Sequence, residues 1–194
     1  MTGLRWMRPA IVFIGLVAGW QAVVMLSGVP AFILPATADV AAALLRRGDI
    51  ILDNAWVTAI EITAGFAIGS GIGIVSALTM SLFKPAREWL MPVFVVSQAI
   101  PVFAVAPVLV LWLGYGMESK IAMAVLIIYF PVTAAFYDGL RRLQPGWTDM
   151  AHVMNASRWM ELRHIRVPAA LPALGSGLRV AAAVAPIGAV VGEW

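Results

Sequence analysis

Asp149-Met150-Ala151-His152-Val153-Met154-Asn155-Ala156-Ser157, running on to Ile165-Arg166-Val167-Pro168, is an arginine-rich polar island between two long apolar runs. Asp149 to Met154 suffices for about one and a half helical turns. Asn155 suits a left-handed backbone position, which Asn tolerates second only to Gly. Ser157 is placed to N-cap the next helix by accepting a backbone N–H bond. Trp159, Leu162 and Ile165 then recur at helical spacing, with Arg158, Glu161 and Arg163 between them. Pro168 is expected to open the next apolar helix, where its missing N–H costs little. The island therefore predicts a pair of short helices on one side of a membrane.

Composition supports the membrane. The chain is 62% hydrophobic and 12% charged, with mean hydropathy +0.92. Globular domains carry about 25% charged residues. The net charge of +3 is not a nucleic-acid signal, because the basic residues sit between apolar runs. Without cysteine there is no disulfide framework and no thiolate metal site.

The spacing of the island resembles the EAA loop of ABC-importer permeases. That pattern is Glu-Ala-Ala, three residues, Gly, nine residues, then Ile-x-Leu-Pro. Here it is carried by Asp149-Met150-Ala151, Asn155 and Ile165-Arg166-Val167-Pro168. Asp stands for Glu, Met for the first Ala, Asn for Gly and Val for Leu, each keeping the physical role. The likeness continues through Pro168-Ala169-Ala170-Leu171-Pro172 and Gly177-Leu178-Arg179, and it covers roughly the whole chain. It implies an all-α polytopic bundle of the type I importer fold, with a first unit at 1–53 and a permease core at 54–194. It further implies that a cytoplasmic ATPase subunit grips the loop at Asp149, Ala151, Asn155, Ala156, Ser157, Arg158, Trp159 and Pro168. That partner would bind ATP and Mg; this chain would hold no cofactor. A solute-binding protein and a second copy of the permease, forming a homodimer, complete the implied assembly in the bacterial inner membrane.

Five spans are expected, and the family's sixth would lie beyond Trp194. Span one is Pro9 to Leu26, too long for a signal-peptide core and without a cleavage site after it. Trp6 and Trp20 are candidate interfacial anchors. Thr37 is positioned to cap a short surface helix ending at Arg46-Arg47-Gly48. Span two, about Asn54 to Phe83, carries Gly65-x3-Gly69-x3-Gly73, small residues that let helix backbones approach closely in lipid. Lys84 to Glu88 reads as a short loop. Span three, Trp89 to Leu113, is interrupted by Pro92, Pro101 and Pro107; span four, Ile121 to about Gly139, by Pro131. Span five is Pro168 to Trp194. Nine Lys or Arg residues fall on the side of the island and three on the other, which places the island and the N-terminus in the cytoplasm.

Polar groups at membrane depth mark a candidate translocation pathway: Glu61, Gln98, Tyr129, Thr133, Arg179 and Glu193. For Arg179, Glu61 and Asp138 are the candidate acid partners. No Walker A pattern occurs. His152 and His164 have no ligand cluster near them, and Ser70 lacks a nucleophile-elbow frame. A membrane-embedded enzyme built on Glu61 and Glu193 is the reading from a different class. Among permeases, Ser97-Gln98-Ala99-Ile100-Pro101 and Val184 to Trp194 look most like importers of a thiamine-precursor pyrimidine, with sulfonate, taurine or nitrate importers as the alternative.

Overall fold

In the computed structural model, which describes residues 3–99, 101–143 and 145–192, all regular structure is helical. The order is α1 (Gly3–Ser27), α2 (Thr37–Arg46), α3 (Gly48–Leu82), α4 (Lys84–Ala99), α5 (Val102–Leu113), α6 (Met117–Arg141), α7 (Pro145–Val153), α8 (Arg158–Glu161), a π-helical turn (Leu162–Arg166) and α9 (Val167–Gly192). The chain divides into two compact units, Met1–Trp56 and Val57–Trp194. The boundary expected after residue 53, like this one, falls inside α3, whose sequence carries no proline.

In the first unit the end of α1 is tied to the start of α2. Gln21 Oε1 accepts from the Thr37 amide at 3.2 Å and from its hydroxyl at 2.8 Å. Thr37 is thus not the cap expected of it. Ala36 occupies that position without a side-chain bond, and the Thr37 hydroxyl is committed to Gln21. Trp20, expected at the interface, donates its indole N–H to the Pro35 carbonyl at 3.1 Å.

The second unit is built on α3, α6 and α9. One core cluster joins Ala124, Ile128 and Val132 of α6 to Ala181 and Ala185 of α9. The other joins Ala77 and Met80 of α3 to Phe136, Tyr137 and Leu140 of α6, with Leu162 and Ala170. The glycine stripe of α3 supplies the contact it predicted. A Cβ at Gly69 would lie 3.1 Å from Ile128 Cβ, and one at Gly73 3.0 Å from the Thr133 hydroxyl; at Gly65 it would collide with Ala124 Cβ. From α9, a Cβ at Gly188 would stand 2.8 Å from Ala124 Cα. Ala124 is thus clasped between two glycines, a crossing that only small residues permit.

Four helical runs are long and apolar enough to cross a membrane: Met7–Ser27, Gly48–Leu82, Met117–Arg141 and Arg158–Val191. The third expected span is instead two helices, α4 and α5. At about 1.5 Å per residue neither reaches about 30 Å alone. Only Pro101 breaks it, as the residue preceding α5; Pro92, Pro107 and Pro131 sit inside continuous helices. The supposed loop Lys84 to Glu88 is the first turn of α4, and Phe83 alone separates α3 from α4.

Pro168 stands in the first turn of α9, as expected, but the apolar run starts earlier: it begins at Arg158 and passes through the π turn, where the Val167 amide reaches back to the Leu162 carbonyl. Proline at 168 has no N–H for the His164 carbonyl, and its ring crowds that oxygen in a tight α-turn. The wider turn relieves both.

Candidate functional site

The segment linking α7 to α8 closes through local bonds alone. Asn155 is the one non-glycine residue at positive φ among those described, at 54°. Its amide donates to the His152 carbonyl, and the Ala156 amide to the Ala151 carbonyl, both at 3.0 Å. Those two bonds define a Schellman closure with Asn155 as the left-handed residue. Ser157 then starts α8, its hydroxyl accepting from the Met160 amide at 3.2 Å. Ala151 is buried and Ala156 half-buried, so the turn folds tightly on two small side chains. Asn155→Gly is expected to leave this turn intact. Asn155→Val, which forces a branched Cβ into the left-handed region, is expected to cost about 1–2 kcal/mol. Thermal unfolding of the two variants side by side checks this.

What the turn displays is apolar. Met150, Val153, Met154, Trp159 and Met160 are all more than half exposed. Beside them Ala151, Ala156 and Ile165 line a cavity of about 550 Å³. Apolar side chains gathered at a turn rich in arginine and at the start of an apolar run suit a contact surface for another protein. Asp149 and Arg158 are exposed at its edges. Pro168 is exposed in the first turn of α9, past the patch.

Behind the turn lies an ion pair that the sequence did not single out. Arg166 Nε and Nη2 donate to Glu161 Oε1 at 2.9 and 2.7 Å, with Glu161 7% exposed. The five-residue separation suits an α-helix poorly; the π turn brings the two side chains together. That link was hidden because the π turn itself was.

Among the described residues, the candidate pathway side chains do not converge. Glu61 of α3 is 1% exposed and pairs with Lys120 of α6 at 3.2 Å. Thr133 is fully buried where α6 meets Gly73, and its hydroxyl donates to the Tyr129 carbonyl at 2.6 Å. The levels of Glu61 and Gly73 on α3 are about 18 Å apart along the helix. Tyr129 meets Phe94 edge-on, with ring centroids 6.5 Å apart. Arg179 is exposed on α9. Both acids offered as its partners are taken: Glu61 by Lys120, and Asp138 by Arg142 at 3.2 Å. The Trp6 and Gln98 side chains and Glu193 lie outside the described residues. No group of metal-ligating side chains occurs among the described residues.

Known proteins align along this whole arrangement. A sequence profile of the binding-protein-dependent transport system inner membrane component matches residues 69–194. A probable ABC transporter permease protein of Haemophilus influenzae is 49% identical over 191 residues, 98% of this chain and 78% of the relative. The formylaminopyrimidine transport permease ThiX of Halalkalibacterium halodurans is 32% identical over 97% of this chain and 75% of its own. The riboflavin transport permease RibX of Chloroflexus aurantiacus is 38% identical over 90% and 66%.

Proposed function

Because the chain belongs to the binding-protein-dependent transport system inner membrane component family, and is thus a multi-pass permease subunit of an ABC importer whose ATPase is a separate chain, we propose that Asp149 to Met160 is its ATPase contact and that its cargo is a small nitrogen heterocycle, a thiamine-precursor pyrimidine first. One observation carries the contact: an apolar patch on a locally closed turn whose core is two alanines. Trp159 and Met154 are the anchors that a partner groove would bury, and Arg158 supplies a charged edge. Small Ala151 and Ala156 keep the turn slim enough for close approach.

On this reading the lysine and arginine bias orients the N-terminus and the α7–α8 turn to the cytoplasm. ATP and Mg stay with the ATPase. Closure of the ATPase pair favours one state of the permease through differential contact with the turn. Two permease copies of this chain form the pore, and a solute-binding protein delivers cargo from outside. The heterocycle rests on two relatives, named for formylaminopyrimidine and riboflavin transport.

Ala156→Asp tests the contact. Co-expressed with its ATPase and purified in mild detergent, wild type is expected to retain the partner and the variant to lose it. The variant permease is expected to stay intact, since the half-buried Ala156 borders the cavity. Equal retention by both would remove the turn from the ATPase contact. Uptake of labelled hydroxymethylpyrimidine into cells expressing the whole system, with riboflavin and taurine as competitors, tests the cargo. Competition by taurine and not by riboflavin would move the assignment to sulfonates.

A further inference from the structure

A second cavity, of about 300 Å³, opens where the apolar helices stop. Its wall is the end of α3 and the first turn of α4 on one side, and α7, α8 and the π turn on the other. Lys84, Arg87, Arg158 and Arg166 all line it, with His152, against the single carboxylate of Glu161. Arg166 is occupied by Glu161, whereas Lys84, Arg87 and Arg158 make no ion pair among the described residues. Ser81 also lines the cavity, and its hydroxyl oxygen is buried with no hydrogen-bond partner. Three unneutralised cations on the wall of one cavity suit an oxyanion, which would offset their mutual repulsion.

We propose that this cavity binds a phosphate group, held by Lys84, Arg87 and Arg158. Guanidinium forks and a lysine ammonium are the side chains that suit phosphate oxygens. Lys84 stands just past the end of α3, with Phe83 between, and Arg158 at the start of the Arg158–Val191 run, the ends of apolar helices where a lipid headgroup would lie. A phosphate there would bridge the α3–α4 corner to the α8 segment. The phosphate is that of an anionic lipid or a free anion; the cavity chemistry is the same for both. The site stands on the cavity alone and does not depend on the cargo.

The test uses the permease–ATPase complex. Native mass spectrometry reads retained phosphatidylglycerol against phosphatidylcholine. Thermal midpoints in neutral lipid read inorganic phosphate against chloride at equal ionic strength. Lys84→Gln with Arg87→Gln is expected to reduce phosphate-group binding at least tenfold, and Lys84→Gln alone about threefold. Arg46→Gln with Arg47→Gln, which removes two charges on α2 and its end, is expected to change nothing. An effect from phosphatidylglycerol alone identifies a lipid headgroup; one from inorganic phosphate alone identifies a soluble anion. Equal loss in both double variants, or no loss in either, overturns the proposal. So does loss of the ATPase from the Lys84 and Arg87 variants without any phosphate binding, which would assign the cations to acidic groups of the ATPase. Failure of the ATPase contact itself would show instead with Ala156→Asp, which leaves the cavity's cations in place.

Discussion

Lys120→Met is expected to destabilise the permease by about 3–5 kcal/mol, the cost of leaving a buried charge without its partner. Glu61 is 1% exposed, and Lys120 at 3.2 Å is the cation facing it; its other oxygen already lacks a hydrogen bond. Removing the ammonium strands a carboxylate between α3 and α6, where apolar surroundings magnify the penalty. Pairing the change with Glu61→Gln removes the charge as well, and most of the loss is expected to return. Thermal unfolding in detergent of wild type, single and double variants forms the cycle. If the single variant melts within about 0.5 kcal/mol of wild type, the pair is not what neutralises Glu61. The same comparison separates a structural from a transport role, because a pathway carboxylate would lose uptake in the stable double variant.

Gly65→Leu is the second large effect, and it is expected to prevent the three-helix crossing from forming. Even a methyl at Gly65 collides with Ala124, and a Gly188 Cβ position lies only 2.8 Å from the Ala124 Cα. Ala124 is thus crowded from two helices. Overpacking in a core that can adjust costs about 1–3 kcal/mol; a leucine here exceeds what such crowding accommodates, so the helices must part. Gly71→Leu is the control, since nothing lies within 4 Å of a Cβ there. Size-exclusion profiles after extraction are expected to show a single sharp species for Gly71→Leu and aggregate or no protein for Gly65→Leu. Similar profiles for the two would mean that the stripe does not set the approach of α3 to α6.

What the sequence disclosed was mostly short-range. The left-handed Asn155 and the Ser157 cap could be read because each depends on bonds to residues within five positions. The glycine stripe announced a close approach, though not its partners, since Ala124 lies far along the chain. Prolines misled. Each removes one N–H, yet Pro92, Pro107 and Pro131 lie inside helices that continue through them. Only Pro101 broke its helix, and only Pro168 has a compensating wide turn beside it. The Lys120–Glu61 pair and the cation-lined cavity escaped for a common reason. Each assembles side chains from segments far apart in sequence, and Lys84 and Arg87 already had an adequate explanation in membrane topology.

The π turn has a geometric consequence. One residue beyond the α-helical count is inserted between α8 and α9, and the run from Arg158 to Val191 nevertheless stays continuous. An extra residue rephases the two ends of that rod by about 100° of rotation. The direction in which Trp159 projects is therefore set independently of the direction in which Gly188 meets Ala124. Trp159 and the glycine clasp thus lie on one helical run, with the Glu161–Arg166 link spanning the π turn between them. Deleting one residue within 162–166 would leave the rod intact and every bond to its neighbours out of phase.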